Sequence, residues 1–107
     1  MSAKVRRVAT VKSGRGLRWP SKQPAELLDF AIDWTARLDG DAIASSAFVV
    51  PPGVTAASSS RSARETVVWL AGGVDRGSYL VVNRITTTAG REMRQAVRLK
   101  IKARSRA

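Results

Sequence analysis

The chain has 107 residues, no cysteine, no histidine and a net charge of +11. That length makes one domain, and hydrophobic residues, 44% of the chain, supply a single core. No apolar run of about 18 residues exists, which excludes a membrane-spanning helix, and the lack of cysteine excludes a disulfide framework.

The charge is unevenly placed: residues 1–22 carry +7, residues 23–90 carry −2 and residues 91–107 carry +6. This pattern predicts a folded body with basic ends. Residues 1–24 are expected to be an extended basic arm, residues 25–103 a sandwich, and residues 104–107 a frayed basic tail. No apolar stretch of signal-peptide length follows Arg6 and Arg7, and without cysteine folding needs no oxidising compartment, so synthesis and folding in a cytoplasm are expected.

Within the arm, Gly14, Gly16, Pro20 and Pro24 favour extended chain, ordered mainly by a partner, while Val5, Val8 and Val11 allow one short edge strand. Trp19 is a large apolar residue in a polar segment, expected to dock on the body or on a neighbour. Residues 27–38 alternate apolar and polar, which predicts a strand, although Leu27, Ala31, Trp34 and Leu38 also fit a helix face. Asp39-Gly40-Asp41 then supplies a turn. Ile43 to Val50 is a second strand, ended by Pro51-Pro52-Gly53. Residues 54–63 are small and polar, a loop or weak edge strand.

Glu65 to Ala71 and Gly77 to Thr87 are two further strands. Tyr79 follows Asp75-x-Gly77, which resembles the tyrosine corner of immunoglobulin-like sandwiches, where the phenol bonds back to nearby backbone. Tyr79, Val81, Asn83 and Ile85 share one face; Leu80, Val82, Arg84 and Thr86 share the other. A turn at residues 88–91, with Gly90 at positive φ, leads into a final strand from Glu92 to Lys102. There Val97, Leu99 and Ile101 point inward, and Arg98, Lys100 and Lys102 outward. The fold class is therefore all-β, an immunoglobulin-like antiparallel β-sandwich with an extended basic N-terminal arm.

Without histidine or cysteine, the commonest general base, the thiolate nucleophile and every metal site built on those residues are missing. Asp29 and Asp33 read as surface aspartates, Asp39 to Asp41 as a turn rather than half of a calcium loop, and Gly14 to Gly16 as no phosphate loop. Trp34 and Trp69 are expected in the core, with a sugar-binding face as the lesser reading. No catalytic, cofactor or metal residue is assigned. The basic ends suit nucleic-acid phosphates, an acidic protein surface, or solvent. Neutralising about five phosphates gives a log–log salt slope of roughly −4.5. With aromatics at 6% and not interleaved with arginines, any DNA contact would be unspecific in sequence.

The strings DFAIDWTARLDGDAIASSAFVVPPGV, VVWLAGG and GSYLVVNRITTTAGR, with the basic final strand, resemble small structural proteins of tailed bacteriophages, the fibre–tail adaptor or neck-associated proteins. The shared positions are Asp33, Trp34, Leu38, Asp41, Ile43, Ser46, Trp69, Gly72, Gly73, Tyr79, Asn83, Thr87 and Gly90, within residues 27–101. The resemblance implies an immunoglobulin-like fold and a non-enzymatic virion protein. It also implies portal, neck, tail or fibre partners, and several copies in a ring or as pegs for fibres. The expected partner contacts are Arg6, Arg7, Arg15, Arg18 and Trp19, with Arg98, Lys100 and Lys102 as a second basic stripe. The alternative function is a backbone-directed nucleic-acid-binding module using the basic termini.

Overall fold

The computed structural model describes residues 7–11 and 16–103. Its strands are β1 (Val8–Thr10), β2 (Leu17–Arg18), β3 (Leu28–Asp33), β4 (Ile43–Val49), β5 (Val54–Arg61), β6 (Glu65–Gly72), β7 (Ser78–Thr87) and β8 (Glu92–Lys100), with a one-turn helix α1 (Thr35–Leu38) after β3. They form two four-stranded sheets, ordered β1-β3-β6-β5 and β2-β8-β7-β4. The sheets face each other across one core that holds Phe30, Ile32, Trp34, Val68, Leu70, Val81, Ile85, Val97 and Leu99. This is the expected sandwich. Each inward residue is followed by an outward one, so the period of two that marks the strands also decides what the core contains.

Two expectations about the chain's path are corrected. Residues 27–38 are not one strand: β3 stops at Asp33, and a helical turn follows. The Asp33 carboxylate accepts bonds from the Thr35 amide at 2.9 Å and the Thr35 hydroxyl at 2.6 Å, which offers the backbone a local turn in place of the ladder. Trp34 keeps the inward phase of Phe30 and Ile32, and Leu38, four residues on across the turn, is buried as well, so the two periodicities each describe half of the segment.

The second correction concerns the arm. Residues 7–11 and 16–22 lie on the sandwich rather than extending from it. β1 pairs parallel to β3, with Val8 opposite Ala31, and β2 pairs parallel to β8, with Leu17 opposite Val97 and Arg18 opposite Arg98. Ala9, Val11 and Trp19 are buried, which rewards the docking with apolar surface removed from water. Lys22, counted above with the basic arm, is also buried. Its ammonium donates to the carbonyls of Gln23 at 2.7 Å and Gly72 at 2.6 Å. Burial pushes its pKa down, partly opposed by Glu26.

The segment read as a loop or weak edge strand is β5, eight residues at the outer margin of its sheet. The tyrosine corner is present: the Val74 amide donates to the Tyr79 hydroxyl at 3.1 Å. Its ring is clasped so closely that a Cβ on Gly53, at φ 107°, would lie 2.8 Å from the ring, and one on Gly77 2.9 Å from it.

Between the sheets runs one fully satisfied polar network. The Trp34 indole donates to Asn83 Oδ1 at 2.9 Å, the Thr66 hydroxyl donates to the same oxygen at 2.7 Å, and Asn83 Nδ2 donates to Ser46 Oγ at 2.9 Å and the Ala47 carbonyl at 3.0 Å. Removing Asn83 takes the acceptor from the buried Thr66 hydroxyl and leaves the buried Trp34 indole only its 3.3 Å bond to Thr66 Oγ1. Asn83→Ala should therefore cost about 2–4 kcal/mol in urea unfolding, with the denaturant slope unchanged; a cost under about 1 kcal/mol would refute this account.

The loop after α1 is tied to the β7–β8 turn through Asp41. Its carboxylate accepts from the Ala42 amide at 2.8 Å, the Thr88 hydroxyl at 2.9 Å, the Ala89 amide at 3.3 Å and the Arg91 guanidinium at 2.8 Å. The Thr87 hydroxyl, then the Ala42 amide, Thr88 and Arg91, hold this carboxyl below the usual carboxylate range, against the opposing effect of its own desolvation. A depressed folded-state pKa stabilises fully above the unfolded value of about 3.9 and less as pH falls through the folded value. Asp41→Asn should thus lower Tm at neutral pH, and its gap from the native chain should narrow below about pH 4. An equal gap at neutral pH and in strong acid would contradict this.

Candidate functional site

The parallel pairing of β2 with β8 joins the two basic ends of the sequence. Arg18 lies directly opposite Arg98. Lys100 is two residues along the same face of β8, roughly 7 Å further. Arg18, Arg98, Lys100 and Lys102, with Ser21 and the margin of Trp19, surround a shallow cleft of about 240 Å³. A second cleft of about 540 Å³ shares Arg98, Lys100 and Lys102 and extends to Arg76. Arg98 donates to the Ser78 hydroxyl at 2.8 Å and stays exposed. Among the described residues no carboxylate lines either cleft. The arrangement suits anionic groups: planar guanidinium donors for carboxylates or phosphates, with two ammonium groups beside them.

The other expected contact residues are placed elsewhere. Arg7 sits at the β1 edge of the opposite sheet. It donates to the Asp29 carboxylate at 2.6 Å and the Asp29 carbonyl at 2.8 Å, and lies 5.7 Å from the Phe30 ring centre. It is committed within the fold. Trp19 is 3% exposed; its indole donates to the Ala31 carbonyl at 2.8 Å and its ring is 5.0 Å from Phe30. It fulfils the self-docking expectation and has little surface left to offer a neighbour. Arg6 and Arg15 lie outside the described residues.

Trp69, expected in the core, is 40% exposed. It points outward between inward-facing Val68 and Leu70, with Asp29 and Ser58 as its cross-strand neighbours. With Trp19 and Trp34 buried, a tryptophan-lined sugar face reduces to this single ring. Among the described residues no group of three or more acidic side chains is placed to hold a metal ion.

Two outward arginines were not among the expected contacts. Arg84 on β7 and Arg94 on β8 stand directly opposite each other on the face that carries Arg98. Counting outward from the turn at residues 88–91 would have found the pair, because a hairpin's register is fixed by its turn.

The fold and the site together define a small immunoglobulin-like module with a cationic sheet face. It is similar to a solved PKD domain from the KIAA 1837 protein, with 17% identity and a TM-score of 0.52, over 100% of this chain and 97% of the other. That likeness concerns the fold alone. No match was found among curated proteins. A family model described as "Podophage GP4 fiber-tail adaptor protein gp77" matches residues 22–100, and the chain belongs to that family. Its role is structural, as an adaptor in the phage tail. β1 and β2 lie before the matched residues, so Arg18 comes from outside the family match and Arg98 from inside it.

Trp19 provides a test of this placement. If its ring is part of the core, Trp19→Ala should cost about 3–5 kcal/mol in thermal or urea unfolding, whereas Arg18→Ala, on the surface, should change stability by less than about 0.5 kcal/mol. A Trp19→Ala protein as stable as the native chain would return Trp19 to the surface.

Proposed function

We propose that this chain is a non-enzymatic virion protein made in the host cytoplasm. It is an adaptor in the neck or upper tail that joins portal or tail components or anchors fibres, in several copies per particle. The family match over residues 22–100 carries this reading. The topology supports it. β1 and β5 are the edge strands of one sheet and β2 and β4 those of the other, where a strand from a neighbour can add. Successive copies arranged head to tail make a heterologous contact that closes as a ring. Arg18, Arg98, Lys100 and Lys102 are the contacts to neighbouring proteins.

Purified particles should contain the chain in more than one copy, seen as repeated sandwich-shaped density near the portal or fibre bases. Recovery of the chain only from infected cytosol, and never from particles, would overturn the proposal.

A second reading, unspecific binding of nucleic-acid backbone, is favoured by the convergence of four cations at one sheet margin. Neutralising about four phosphates predicts roughly a hundredfold loss of duplex affinity between 50 and 200 mM salt. No duplex binding at about 50 mM salt would end that reading.

A further inference from the structure

The outer face of the β2-β8-β7-β4 sheet carries an unusual charge arrangement. Arg84 is paired across the strands with Arg94, and Arg18 with Arg98. Like charges placed directly opposite each other destabilise a sheet. All four are exposed, Lys100 extends the second row, and none of the five takes part in an ion pair among the described residues. Glu92, opposite Thr86, is the acid on this face. A face evolved only for solubility would intersperse both signs.

Between the two arginine rows runs an apolar one. Ala96 on β8, Val82 on β7 and Val49 on β4 are cross-strand neighbours, and Leu80 lies opposite Arg98. Val49 is 50% exposed and Leu80 45%. The arginine rows stand about 13 Å apart along the strands, with the apolar row midway. Beside Arg84 and Arg94 opens a cleft of about 610 Å³ that reaches Met93.

We infer that this sheet face docks another protein of the particle, through a surface that is apolar at its centre and carries Asp or Glu carboxylates in two flanking rows. This rests on the adaptor reading and names the chemistry of its partner. An apolar centre within a charged rim is the anatomy of a protein–protein contact. Carboxylates set against the arginine pairs would remove the repulsion that the free sheet bears. A phosphate backbone would satisfy the arginines but gain nothing from Val49 or Leu80. Among the described residues the face also has no exposed aromatic side chain on which a base could stack.

The test uses tail or particle assemblies made without this chain, to which purified protein is added back and binding is measured. The native chain should bind. Arg84→Gln with Arg94→Gln should weaken binding at least tenfold and yet raise Tm by about 1–5 °C, because the cross-strand repulsion is gone. Arg98→Glu with Lys100→Glu, and separately Leu80→Ser, should each weaken binding at least tenfold while the protein stays folded. A native chain that does not bind overturns the adaptor reading and this surface with it. Native binding that all three variants match overturns the surface alone, and so does a fall in Tm for the glutamine pair, which would make the arginines structural. Equal affinity for a 20-base-pair DNA duplex, falling about a hundredfold between 50 and 200 mM salt, makes nucleic acid the occupant and overturns the protein partner.

Discussion

Trp19 is fastened to both sheets at once. Its backbone amide donates to the Arg98 carbonyl in one sheet, at 3.0 Å, and its indole donates to the Ala31 carbonyl in the other, at 2.8 Å, with the ring packed on Phe30. A buried indole needs a partner for its N–H, and here that partner lies across the core. The bond therefore ties the end of β2, in one sheet, to β3 in the other. Everything on the β2 margin follows from it: Arg18 faces out beside Arg98 because Leu17 and Trp19 face in.

The interior has a second constraint of the same kind. Asn83 is a polar residue in an inward position, and its amide is satisfied from three elements: Trp34 after β3, Thr66 in β6, and Ser46 and Ala47 in β4. A slip of β7 by one residue would turn Asn83 outward, take the acceptor from the Thr66 hydroxyl and leave the Trp34 indole only its 3.3 Å bond to Thr66 Oγ1. The network thus selects one register where apolar packing alone tolerates near misses. Asp41 does similar work at one end of the sandwich, where it gathers two turns on one carboxylate.

With its geometry fixed from inside, the module has two outer faces of different character. One carries Val8, Leu27 and Trp69 around an Asp29–Arg7 ion pair. The other carries arginines set directly opposite each other across the strands. A fold that tolerates repulsion on one face needs stability elsewhere, and the buried network and the two-sheet anchoring of Trp19 supply it. Rigid presentation of a charged face suits an adaptor, whose task is to hold neighbours at a set geometry.

The sequence by itself determined the class of fold, most strand positions, the corner at Tyr79, the turn at Gly90 and the inward set Val97, Leu99 and Ile101. Each is local, set by a period of two or by turn chemistry within a few residues. The same locality made the short family strings legible. What it left open was everything decided by contacts distant in sequence. Trp34 and Trp69 look alike in the chain, yet one keeps the inward phase of Phe30 and Ile32 and the other stands outward between two inward neighbours. Lys22 reads as one more cation of an arm until Gly72 appears beside its ammonium. The cationic face drew on residues from both ends and the middle of the chain, and only strand pairing brought Arg18 to Arg98 and Arg84 to Arg94. Side-chain periodicity tells which way a residue points from its own strand; which residue it then meets depends on register, and register is a property of the folded sheet.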